Sequence, residues 1–163
     1  MKFIIPFLFL LAVLFSCKKD ESDVSTVVIN ELMAVNSYSA MDQDNQFDDW
    51  IELYNNSSSK VDLSGCYLSD SKSKLTRWQF PAGTTIDAGA FLIVWADADT
   101  LQVGLHANFK LSSSGEKVYL VSRDGTIWDK VEYGEQTSEV SYARSPNGYG
   151  EFRWGAPSYN KKN

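Results

Sequence analysis

Histidine and cysteine are nearly missing from this chain: one His and two Cys among 163 residues. A closed zinc site draws on several His or Cys ligands, and this sequence offers too few. A Ser-His-Asp arrangement needs its histidine beside an activated nucleophile. His106 lies instead in GLHANFKL, and no nucleophile-elbow sequence occurs. There is no glycine-rich phosphate loop. Positive charge is also short, with 15 Lys and Arg against 21 Asp and Glu and a net charge of −6. An acidic domain repels phosphate backbones and lacks the basic stripe of a nucleic-acid binder. The residues give no reason to expect an enzyme or a nucleic-acid partner.

The longest apolar run is at the start, MKFIIPFLFLLAVLFSC. It is shorter than the ~20 residues a spanning helix needs. Its layout is that of a secretory signal: a charged start, an apolar middle and a small residue at the cut. The end, Leu14-Phe15-Ser16-Cys17, resembles a bacterial lipobox. Residues 1–16 are therefore expected to be a lipoprotein signal peptide and Cys17 the lipid attachment site. Each buried methylene contributes about 0.8 kcal/mol, so the two or three chains of a lipoprotein would hold the protein on a membrane. Residues 17–25 read as a polar tether. Lys18-Lys19-Asp20-Glu21 resembles the tag that sends some lipoproteins to the outer face of the cell. The expected address is the cell envelope, on the outer membrane with a surface-exposed domain. With Cys17 lipidated, Cys66 has no partner and reads as a small buried apolar residue.

Residues 26–163 form one domain, long enough to bury a core. TVVINELM, WIELYN, VDL, GCYLSD, WQF, FLIVWA, VYLVS, TIWDKVEY and VSYAR are short, aliphatic- and aromatic-rich runs. Turn chemistry separates them: NNSSS, PAGTT, DAGA, SSSGE, RDG and SPNGYG. No segment carries a long helical stripe. Phe91 to Ala96 is apolar on both faces and is expected centrally. Ile51 and Leu53 alternate with Trp50, Glu52 and Tyr54, as in a half-buried strand. Val118 to Val131 reads as a hairpin turned by Gly125. This is an all-β pattern, a sandwich or a barrel, and Trp50, Trp78 and Trp95 are expected to knit two sheets together.

Ile29-x-Glu31, Asn36 and Asp49-Trp50-Ile51-Glu52-Leu53-Tyr54-Asn55 open a longer pattern. Val61-Asp62-Leu63-Ser64-Gly65, Trp78-x-Phe80-Pro81-x-Gly83-Thr84 and Leu105-His106 with Phe109 follow. Asp129-x-Val131 and Arg144-x-Pro146-x-Gly148 close it. In order and spacing this resembles the lamin-tail domain family. The resemblance implies an immunoglobulin-like β-sandwich and, for bacterial members, a cell-envelope address. The chain contains no coiled-coil rod and no prenylation box, so the nuclear partners of lamins are not implied. A fold does not by itself fix a function.

One stretch stands apart: DQDNQFDDWIELYN, Asp42 to Asn55. Alternating oxygen ligands suit calcium, a hard cation that takes six to eight of them. Asp42, Asp44, Asp48 and Asp49 are the candidate ligands. An EF-hand would need Gly at its sixth position and Glu at its twelfth, where this loop has Phe47 and Leu53. The plainer reading is a solvated loop turned by Asn45. A catalytic pair of Asp49 and Glu52 would sit on opposite faces of a strand. No cofactor is required, and calcium is the one the loop suits.

Three function hypotheses follow. The leading one is a non-catalytic, lipid-anchored envelope module for protein interaction or structural support, with the membrane as one partner and an unidentified envelope protein as the other. The alternatives are a calcium-assisted carbohydrate-binding module and an accessory subunit of a secreted hydrolase. For a glycan, Trp128, Tyr149 and Trp154 are the candidate stacking aromatics, with Tyr159 nearby in sequence.

Overall fold

The computed structural model describes residues 26–163. The expected signal peptide, the tether and Cys17 lie outside the described residues.

Twelve strands build two facing layers and a small flap. They are β1 (Val27–Met33), β2 (Trp50–Asn55), β3 (Val61–Asp62), β4 (Tyr67–Ser69), β5 (Trp78–Gln79) and β6 (Thr85–Ile86). Then come β7 (Phe91–Ala96), β8 (His106–Ala107), β9 (Glu116–Val121), β10 (Ile127–Tyr133), β11 (Ser141–Ser145) and β12 (Glu151–Gly155). The large sheet runs β12-β11-β1-β2-β7-β8, the smaller one β10-β9-β4-β5, and β3 pairs with β6. All neighbours are antiparallel except β7 and β8, which run parallel.

Strand alternation assigns each side chain to a face. Ile29, Leu32, Ile51, Leu53 and Val94 turn inward from the large sheet and meet Leu68, Trp78, Val118, Leu120 and Val131 of the small one. Each large aliphatic side chain buried this way contributes about 1.5–3 kcal/mol. A bulge between Ile29 and Glu31 resets the alternation of β1. It leaves Ile29 and Leu32 on the core face and pairs Glu31 with Glu52 across the strands. The expected hairpin is β9–β10, with Gly125 at φ 89° in its turn. Cys66 is buried, as its context suggested. Arg123 lies close enough to favour the thiolate, but burial dominates and pushes the thiol up.

Two expectations about apolar residues need correction. Trp78 lies between the sheets, but Trp50 and Trp95 do not. Being out of phase with Ile51 and Val94, they point to the outer face and pack there with Met33 and Ala40. The chain end covers them. Tyr159 meets Trp50 edge-on at 5.5 Å and lies tilted over Trp95 at 5.8 Å. The second correction is β7. It is covered at Val94–Ala96 but only half-buried over Phe91–Ile93, because its outer neighbour β8 is two residues long.

Candidate functional site

The acidic loop is a built turn. Asp42 Oδ1 accepts from the backbone N–H of Asp44 at 2.9 Å and of Gln46 at 2.7 Å. Asn45 takes the left-handed conformation, φ 62°, which asparagine tolerates. Asn36 braces the base of the loop by donating to the carbonyls of Ala40 and Asp48, at 2.6 and 2.9 Å.

The four acids of this loop take separate positions. Asp44 is exposed. Asp48 is half-buried, and its Oδ2 is covered with no hydrogen-bond donor. Burial raises the Asp48 pKa, and the nearby charges of Asp97 and Asp42 raise it further. Asp49 turns toward Leu111 and Glu116. Burial pushes it up to about 7, against a hydrogen bond from the Leu111 backbone. Asp42 is 7 % exposed and faces inward.

Asp42 meets residues from a second loop. Its carboxylate, that of Asp97 and the His106 ring place one ligand atom each within 4.8 Å of one another. Asp97 follows β7, and the parallel β7–β8 register sets His106 beside Trp95. Asp97 and His106 are 8 % and 3 % exposed. Asp97 Oδ1 accepts the Asp99 N–H at 3.0 Å, which leaves Oδ2 facing His106 Nδ1 at 2.7 Å. His106 Nε2 lies 3.1 Å from the Val103 carbonyl. Gln102 completes the group with one end of its carboxamide turned inward. Turned over, its nitrogen would donate to Asp42 Oδ2 at 3.1 Å, Asp97 Oδ2 at 2.9 Å and His106 Nδ1 at 3.0 Å. The His–Asp pair resembles half of a hydrolytic triad. Both ring nitrogens are nevertheless engaged inside the protein, so His106 has no free nitrogen to act as a base.

Sequence reasoning reached Asp42 but not Asp97, Gln102 or His106. They lie more than fifty residues further on, and only the β7–β8 pairing brings them to the loop. The one readable signal was the lone histidine shortly after Asp97-Ala98-Asp99.

Glu31 and Glu52 form a second carboxylate pair, on the outer face. Asn30 Nδ2 donates to Glu52 Oε1 at 2.9 Å, and Asn160 N–H donates to Oε2 at 2.6 Å. Ser158 donates to Glu31 through both its N–H, at 2.9 Å, and its hydroxyl. Burial pushes Glu52 up to about 7 despite these donors. The chain end closes over the pair. Asp49 and Glu52 point to opposite faces, as expected.

The three candidate stacking aromatics are dispersed. Trp128 packs against the main core. Tyr149 is exposed beside Thr26 and Asn56. Trp154 is 46 % exposed on β12, and its ring lies 4.3 Å from that of Tyr142 on β11. Phe152 also stacks on Tyr142, at 5.0 Å, and Arg144 covers Phe152 at 4.4 Å. An aromatic row therefore runs along the free edge of the large sheet, with Trp154 its one member named from the sequence.

Residues 20–135 match the family described as Lamin Tail Domain. No curated protein matches the chain.

Proposed function

The chain belongs to the lamin tail domain family, and from that premise we propose a non-catalytic interaction module, tied to the cell envelope by lipid on Cys17, that binds a protein segment along β12. One observation carries this reading: β12 ends the order of the large sheet, and its five residues are exposed or half-exposed. An edge strand presents unpaired N–H and C=O groups to any strand that approaches. A segment added there would gain main-chain hydrogen bonds, and its alternate side chains would meet the Phe152–Tyr142–Trp154 row. Charged Glu151 and Arg153 on the strand supply selection by charge. The lipobox-like end of the apolar run and the Lys-Asp-Glu tract support an outer-membrane, surface-facing address. A secreted hydrolase is one kind of partner that would make this chain its accessory subunit.

The exposed ring of Trp154 also favours a second reading, a glycan stacked on the same row. One experiment separates them. Full-length protein is extracted in detergent from its native membranes, as wild type and as Trp154→Ala, and co-purifying proteins are identified; both forms are also applied to a glycan array. The reading predicts a protein partner held by the wild type and lost from a variant that melts at the same temperature. Equal recovery by both forms removes β12 as the site. Array binding that Trp154→Ala abolishes replaces the protein by a sugar. Cys17→Ser should move the protein from the membrane to the soluble fraction.

A further inference from the structure

We propose that Asp42, Asp97, Gln102 and His106 bind one small divalent transition-metal ion, zinc or manganese, that ties the acidic loop to the loop after β7. The first ground is the direction of the acceptors. In each aspartate Oδ1 is used by its own turn and Oδ2 points inward. Asp42 is more than nine-tenths buried, and the group that reaches its Oδ2 is the Gln102 carboxamide, by its nitrogen in an ion-free ring or beside its oxygen on a shared metal. Here two carboxylate oxygens, a carboxamide oxygen and a ring nitrogen converge on one point.

The second ground is the geometry at His106. Its Nε2 lies 3.1 Å from the Val103 carbonyl, and its Nδ1 is turned into the cluster, 2.7 Å from Asp97 Oδ2. An Nε2–H donated to a backbone carbonyl is the arrangement that orients a metal-bound histidine.

The spacing and donor types select the ion. His106 lies 2.7 Å from Asp97, Gln102 lies 2.9, 3.0 and 3.1 Å from Asp97, His106 and Asp42, and Asp42 is within 4.8 Å of the other two. Octahedral ligands about 2.1 Å from a small ion are about 3.0 Å apart, whereas tetrahedral zinc spreads them to about 3.4 Å and calcium at about 2.4 Å also needs about 3.4 Å, so the close contacts favour six-coordination by manganese or zinc. Imidazole in the set also favours a transition metal over calcium. Two carboxylates balance the charge of the ion, and Asp48 adds negative potential beside it. The ligands thus come from two loops, not from the acidic loop alone.

Without an ion the same groups have one other solution. Gln102 turns its nitrogen inward, donates to the ring of acceptors, and accepts from Gln46 Nε2 at 2.5 Å. Gln102→Glu separates the two. It keeps an oxygen for a metal and removes the N–H₂ that the hydrogen-bonded ring requires.

The test uses full-length protein stripped with a chelator and titrated with zinc, manganese or calcium, following binding by calorimetry and the melting midpoint. The expected result is one zinc or manganese ion per chain and a higher midpoint. Asp97→Asn should weaken binding by more than the ~10–100-fold that loss of an outer-shell partner costs. Gln102→Glu should bind at least as well as wild type while melting lower when stripped. No binding by the wild type, or undiminished binding by Asp97→Asn, overturns the site. Calcium binding alone overturns the ion. Failure of Gln102→Glu to bind overturns the role of the Gln102 oxygen. None of these results depends on the β12 edge.

Discussion

Arg144 on β11 holds both carboxylate oxygens of Asp129 on β10, at 3.1 and 3.0 Å. The pair also captures the backbone of Ile29 on β1. Asp129 Oδ2 accepts the Ile29 N–H at 2.8 Å, and Arg144 Nε donates to the Ile29 carbonyl at 2.9 Å. Both side chains are largely buried, 17 % and 14 % exposed. Two separate landmarks of the sequence pattern thus close one end of the sandwich by joining its sheets at the bulge. Removing one partner of such a pair leaves a buried charge and costs about 3–5 kcal/mol. Asp129→Ala should lose that much stability in urea denaturation. Arg144→Lys should recover little, because lysine lacks the planar fork. A loss below about 1 kcal/mol would show the pair to be ornamental.

Glu52 makes the fold sensitive to pH. Its pKa is raised in the folded protein from the ordinary 4.5 to about 7, chiefly by burial. The folded state therefore holds a proton that the unfolded chain releases. The contribution is full below about pH 4.5 and is lost as pH rises through about 7. The melting midpoint should fall across that window, and Glu52→Gln should remove part of the fall, the rest coming from Asp49, whose pKa burial also raises to about 7. An unchanged slope in the variant would remove Glu52 as its source.

The chain end acts as a strap. Tyr159 covers Trp50 and Trp95, while Ser158 and Asn160 bind Glu31 and Glu52. Tyr159→Ala should cost about 2 kcal/mol, from lost apolar burial and two ring contacts. Tryptophan emission should shift to the red as Trp50 and Trp95 meet water. Emission unchanged from the wild type would contradict the cover.

Cys66 should be inert in the native protein. Its thiol is buried and its pKa raised, so a maleimide should label it only as the protein unfolds. Labelling at the rate of a free thiol would contradict its burial.

The strands that form the core were legible because their side chains alternate or are apolar throughout. β1, β2, β9 and β10 sit where the runs of Val, Ile and aromatics put them. β6, β8 and β12 were not. β6 and β8 are two residues long, too short for any period to show. β12 reads EFRWG, whose alternation of charge with Phe and Trp is strand-like but spans only five residues directly after the SPNGYG turn. The face of Trp50 and Trp95 was misjudged because hydrophobicity does not say which layer a residue enters. Their cover is the last turn of chain, a contact over a hundred residues away from Trp50. The candidate metal group was legible only in part for the same reason. Asp42 announced itself among other acids, whereas Asp97, Gln102 and His106 gain meaning only from the pairing of β7 with β8.

The most direct test of the account is photo-crosslinking in intact cells, with the reactive residue at Arg153 on β12 and, as control, at exposed Lys60. The account predicts a discrete protein adduct from position 153, none from position 60, and loss of the adduct in Trp154→Ala. Adducts of equal yield from both positions, or none from position 153, would contradict recognition along β12.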